Sequence, residues 1–253
     1  MSEPVYAPVI ALCKVGFRAL GMHVTVTGAE HIPRQGGAVL ASNHVSYLDF
    51  IFAGLAGVQA GRYVRFMAKQ GVFEHRIGGP LMRGMRHIPV DRDAGSASLR
   101  QALTALKSGE VVGIFPEATI SRSFTVKELK SGAVRLAQAG GVPLVPVAVW
   151  GGQRMFSKGG PRHLTRRGGH VLISVGEPLP TPKGADGTAL TLELHQRLQH
   201  LLEDLQARTP EQPRPGEVAW WHPAHLGGTA PTPTQAILLD DAERVARAAR
   251  KAR

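Results

Sequence analysis

One cysteine, Cys13, is all the sequence holds. This excludes a disulfide framework and any cysteine-based zinc site. His222 and His225 lie close together but lack acidic or cysteine partners at a ligand spacing, so no metal is expected. Aromatic residues make up only 6%, and no helix-turn-helix, zinc-finger or RNP-like signature occurs, so specific nucleic-acid binding is not expected. No run approaches ~18 uninterrupted apolar residues, so no transmembrane helix is expected. The nearest approach, residues 5–20, is interrupted by Lys14 and Arg18 and lacks the basic region that opens a secretory signal. Neither Ser42 nor Ser46 sits in a Gly-x-Ser-x-Gly elbow, which argues against a serine hydrolase. Acidic residues are scarce: 19 against 30 Lys and Arg, a net charge of +11. Such a chain favours polyanions, whether an anionic membrane or a phosphorylated ligand.

What is present is enough for one large domain and a tail. The 253 residues are 43% hydrophobic, with 30 Gly and 18 Pro marking many turns. Residues 23–27, 38–42, 63–68, 87–90, 111–115, 144–150 and 170–175 read as strands. Helical spacing covers residues 47–55, 72–85 (weakened by Gly78, Gly79 and Pro80), 96–107, 127–139 and 188–208, and a terminal helix is expected from Ile237 to the chain end. Alternating strands and helices imply an α/β sheet covered by helices on both faces. Three parts follow: an amphipathic N-terminal helix over 1–22, a domain over 23–209, and a tail over 210–253 that opens on the linker-like Glu211–Gly216. In the first helix Lys14 and Arg18 share one face. The helix fits either an anionic membrane surface or its own domain. Trp220-Trp221 in the tail suits packing on the core or a membrane interface.

The sharpest local feature is Ser42-Asn43-His44-Val45-Ser46-Tyr47-Leu48-Asp49. It sits where a buried strand gives way to a helix, the position where α/β sheets bind ligands. His44 and Asp49 are five residues apart, about 140° around a continuous helix. They meet only if His44 precedes the first regular turn. Asp49 then orders one ring nitrogen and leaves the other to take a proton from an alcohol. The alternative is a cap residue and a carboxylate at the positive end of a helix.

Asn43-His44-x-x-x-x-Asp49 resembles the first motif of the glycerolipid acyltransferases, the 1-acylglycerol-3-phosphate acyltransferase family. Three further blocks follow in the family's order. Gly84–Arg92 (GMRHIPVDR) resembles the second motif, Phe115–Ser121 (FPEATIS) the third, and Val142–Val147 (VPLVPV) the fourth. Lys130-Ser131-Gly132 stands where the family carries Lys-x-Gly before a helix. The resemblance spans about residues 23–177. Ala118 replaces the usual Gly of the third motif, and Ile120 the usual Arg.

The resemblance implies a single mixed β-sheet flanked by helices, with His44 as general base and Asp49 orienting it. A substrate hydroxyl attacks an acyl thioester carried on acyl-CoA or acyl carrier protein, with no other cofactor and no covalent acyl-enzyme. The default acceptor is 1-acyl-sn-glycerol-3-phosphate, giving phosphatidic acid. Glycerol 3-phosphate, another lysolipid or a glycolipid would serve the same chemistry. Arg92 is expected to clamp the acceptor phosphate, since guanidinium binds phosphate bidentately; Arg122 takes over from the missing Arg of the third motif. Glu117 is expected at a glycerol hydroxyl, beside Arg92 or in a buried ion pair. Thr119 and Ser121 are candidate phosphate donors. Lys69 adds to the positive field or is merely solvated. Backbone N–H groups near Val45–Ser46 or Ala118–Thr119 are candidates for the oxyanion. The expected setting is peripheral, at the cytoplasmic side of an anionic membrane. A non-catalytic, basic lipid-binding protein is the contrasting reading.

Overall fold

The computed structural model describes residues 3–91 and 95–251. Its strands are β1 (His23–Thr27), β2 (Ala38–Ser42), β3 (Val64–Lys69), β4 (Ile88–Val90), β5 (Val111–Ile114), β6 (Leu144–Trp150) and β7 (His170–Val175). The helices are α1 (Tyr6–Ala19), α2 (Asp49–Gln59), α3 (Gln70–Glu74), α4 (Gly78–Gly84), α5 (Gly95–Lys107), α6 (Gly132–Gly140), α7 (Gly187–Arg208) and α8 (Pro233–Lys251). The strands form one sheet in the order β1-β7-β6-β2-β5-β3-β4. Every neighbouring pair is parallel except β6 and β7. A single mixed sheet is what the family resemblance implies.

Burial explains the order. Ala-Val-Leu-Ala-Ser of β2 and Leu-Val-Pro-Val-Ala-Val-Trp of β6 are buried at every position. Continuous apolar strands of this kind are stable only with both faces covered. The alternating His-Val-Thr-Val-Thr of β1 instead sits at the sheet's edge. One face packs Phe52, Ala53 and Ala56 of α2 on Leu40, Val145 and Val147. The other packs Leu106, Val134, Leu136, Leu194, Leu198 and Leu202 of α5, α6 and α7 on Val39, Val112 and Leu144.

Helix α8 opens at Pro233 rather than Ile237, and three further helices differ from their expected spans. Residues 72–85 form two short helices, α3 and α4, because the chain turns extended at His75 and Gly79 lies against the carbonyl of Phe73, where no Cβ fits. Helix α6 opens at Gly132 rather than 127, since Lys127 and Lys130 give their N–H groups to Glu117 and to the carbonyl of Pro116. Helix α2 opens at Asp49 rather than 47, because Asp49 and Ser46 side chains hold the preceding turn.

Helix α1 lies on the domain: Tyr6 is buried, and its hydroxyl donates to the Val64 carbonyl at 2.8 Å. Leu12 and Val15 of α1 face outward, exposed. The tail also packs on the core. Trp221 is buried, and His222 meets Trp150 edge-on at 6.0 Å. Among the described residues, no helix is long and apolar enough to cross a membrane.

Candidate active site

The carboxyl ends of β6, β2, β5, β3 and β4 share one edge of the sheet, as their parallel pairing requires. Asn43 pins the chain as it leaves β2. Its Nδ2 donates to the Val149 carbonyl at 3.0 Å, and its Oδ1 accepts from the Val149 N–H at 2.7 Å. Such a bidentate tether fixes where the next residue starts. His44 therefore precedes α2 and meets Asp49, the condition the five-residue spacing imposed. Nδ1 lies 3.1 Å from Asp49 Oδ2. A carboxylate only accepts, so Nδ1 carries the proton and Nε2 keeps its lone pair. The ring stacks on Phe115, with centroids 4.2 Å apart.

Asp49 is fully buried at the first turn of α2. Its Oδ2 also accepts the N–H groups of Val45 and Ser46, both at 2.7 Å, while Oδ1 has no partner. Burial pushes its carboxyl above the usual range; His44 and the two amides pull it back. These bonds narrow one expectation, which also named the Thr119 amide. The amides of Val45 and Ser46 are spent on Asp49, and that of Ala118 donates to the Phe115 carbonyl. None of the three is turned to a developing oxyanion.

Glu117 is turned inward rather than towards a glycerol hydroxyl. Oε1 accepts the His44 N–H at 2.7 Å, and Oε2 the Lys127 N–H at 3.1 Å. Burial pushes it up to about 8, opposed by those two amides and the Lys127 charge. Ser121 N–H donates to the His44 carbonyl at 2.7 Å. The third motif thus clamps the backbone of the first on both sides of the histidine. Ala118 takes φ 60°, the left-handed conformation that explains why glycine suits this position.

A cavity of about 440 Å³ opens beside the imidazole. Its apolar wall includes Phe66, Met67, Met82, Phe115 and Ile120, and Lys69, Thr119 and Lys158 supply polar groups. Lys127 Nζ donates to Thr119 Oγ1 at 2.8 Å. Arg122 packs against Gly159, next to the lining residue Lys158: a Cβ on Gly159 would meet Nη1 at 2.2 Å. Ser121 is fully buried and hydrogen-bonded to Ser123, away from the cavity. Arg92 lies outside the described residues.

The sequence reading did not single out Phe115, Lys127 or Lys158, nor Asp240 and Glu243 of the tail. These two acids accept hydrogen bonds from Arg122, Lys127 and Lys158. The available signal was a cluster of three acids, Asp240, Asp241 and Glu243, ahead of four basic residues in the same helix.

A histidine–carboxylate dyad at the carboxyl edge of a mixed α/β sheet, open to a largely apolar cavity with cations nearby, is an arrangement suited to acyl transfer. The family model described as Acyltransferase matches residues 23–150. The chain is 34% identical over 188 residues to 1-acyl-sn-glycerol-3-phosphate acyltransferase of Bacillus subtilis, covering 70% of this chain and 87% of that one. It is 31% identical over 164 residues to the human alpha form, covering 64% of this chain but 55% of that one. The crystal structure of the 1-acyl-sn-glycerophosphate (LPA) acyltransferase PlsC from Thermotoga maritima superimposes with TM-score 0.65 at 25% identity, covering 81% of each chain. The chain belongs to the glycerolipid acyltransferase family.

Proposed function

We propose that this enzyme transfers a fatty acyl group from a thioester on CoA or acyl carrier protein to the free hydroxyl of 1-acyl-sn-glycerol-3-phosphate, giving phosphatidic acid. The observation that carries this reading is the dyad: His44 Nδ1 is tied to Asp49 Oδ2, and the imidazole lines a cavity of about 440 Å³. In this reading Nε2 takes the hydroxyl proton as the oxygen attacks the thioester carbonyl. The tetrahedral intermediate collapses, the carbon–sulfur bond breaks, and the imidazolium returns its proton to the leaving thiolate. Asp49 steadies the imidazolium throughout. The acyl chain lies along Phe66, Met67, Met82 and Phe115.

The acceptor phosphate sits at the rim among Arg122, Lys127 and Lys158, with Lys69 adding charge across the cavity and Arg92 assigned to the same phosphate by its motif. The protein works peripherally, at the cytoplasmic side of an anionic membrane, where the exposed Leu12 and Val15 of α1 and the +11 charge favour contact.

His44→Ala tests the mechanism. Acyl transfer is expected to fall by roughly 10²–10⁴-fold while the thermal unfolding profile is retained. Activity kept in that variant rejects the general-base role. Assaying glycerol 3-phosphate and other lysolipids beside lysophosphatidate, with product read by lipid mass spectrometry, tests the acceptor.

A further inference from the structure

Helix α8 sits on the domain the wrong way round for a surface helix, which normally buries its apolar stripe. Ala236, Asp240, Glu243 and Arg247 recur at three- and four-residue spacing and so share one face. Glu243 and Arg247 of that face form part of the wall of the His44 cavity. On the far side Leu238 and Val245 are each 65% exposed, with Ala242 and Ala249 exposed between and beyond them. Of the described residues of α8, Ala236 alone is buried. Its seat is therefore chiefly ionic.

The ion pairs converge. Asp240 Oδ1 accepts from Arg122 Nε at 3.0 Å and Lys158 Nζ at 2.7 Å, and Oδ2 accepts from Lys127 Nζ at 2.6 Å. Glu243 Oε2 accepts from Arg122 Nη2 at 2.7 Å and lies 3.0 Å from Lys158 Nζ. Two carboxylates thus carry the charge of a phosphomonoester dianion and present acceptor oxygens to three cations. These side chains are largely buried, 15–24% exposed for the three cations and 18% for Asp240, so an incoming dianion displaces the carboxylates only by engaging all three cations together.

We propose that α8 is an internal mimic of the acceptor: Asp240 and Glu243 fill the seat of a lipid phosphomonoester, and an anionic acceptor at a bilayer displaces them, turning the outward apolar stripe of α8 onto the lipid. This rests on the reading that Arg122, Lys127 and Lys158 seat the acceptor phosphate. It adds that the resting enzyme is self-restrained and that the lipid surface lifts the restraint.

The full-length Asp240→Asn, Glu243→Gln double variant tests it. KM for lysophosphatidate is expected to fall roughly 5- to 10-fold with kcat kept. An unchanged or raised KM overturns the proposal. Arg122→Gln, added to the double variant, separates the two readings. A raised KM there upholds the phosphate seat even if the mimic has failed; an unchanged KM shows that the seat itself is wrong, and the mimic falls with it.

A second measurement does not depend on turnover. A polarity-sensitive fluorophore is placed at Ala249→Cys in a Cys13→Ser background. A blue shift is expected with phosphatidate vesicles and none with phosphatidylcholine vesicles. Inorganic phosphate alone is expected to lower the anisotropy without a blue shift, as α8 is freed into water. Silence with both phosphatidate and phosphate, or an equal shift with phosphatidylcholine, overturns the proposal.

Discussion

At the scale of single residues, the strained position of the third motif is open to a direct measurement. Ala118 holds φ 60°, where an L-residue with a Cβ is disfavoured by roughly 1–2 kcal/mol. Ala118→Gly is expected to raise stability by about 1 kcal/mol, net of glycine's larger entropy loss. Denaturant unfolding reads this directly; a destabilised variant means the turn does not strain alanine. Glu117 allows a pH test. Its folded value near 8 lies above the unfolded 4.5, so between those values the native state holds a proton that the unfolded chain has lost. Stability from this group is complete below about 4.5 and declines as pH rises towards 8. The slope should flatten in Glu117→Gln, measured by melting both proteins across that range; parallel slopes would assign it to other groups. The dyad was readable in the sequence because both partners lie within one short motif. The role of Glu117 was not, since its partner is a backbone amide 73 residues away, a contact that no local pattern records.

At the scale of elements, the strands with unbroken apolar runs were found nearly to the residue, because burial on both faces leaves a strong signature. Helix starts were missed where a nearby side chain holds the preceding turn in another shape, as Glu117 does at Lys127 and Asp49 does at Val45 and Ser46. Gly78, Gly79 and Pro80 marked residues 72–85 as a weak helix, but the split into α3 and α4 depends on Gly79 meeting the Phe73 carbonyl, a contact that no local pattern places. Strand β5 carries a comparable close approach. A Cβ on Gly113 would lie 2.5 Å from the ring of Phe66, which is itself buried and stacks on Phe115 at 5.8 Å. Gly113→Ala is expected to destabilise by roughly 1–3 kcal/mol through overpacking. It should also reduce kcat, because Phe115 is the platform under His44. Normal stability and turnover together would mean that the Phe66 ring gives way freely.

At the scale of the whole molecule, the parallel strands divide labour between the two edges of the sheet. His44 follows β2, Glu117 follows β5, and the loop receiving the Ser46 hydroxyl follows β6, so these groups all leave the same edge. The turn at Gly141, between α6 and β6, lies at the opposite edge; it is exposed, with nothing near its Cβ position. The polypeptide can therefore be opened there without touching the chemistry. A short flexible insertion after Gly141, or new chain ends made at that turn, should leave both lysophosphatidate turnover and folding close to the parent's, whereas the same insertion after Ala118 should abolish turnover. The far edge is thus the natural place to graft a reporter or a tether onto this scaffold.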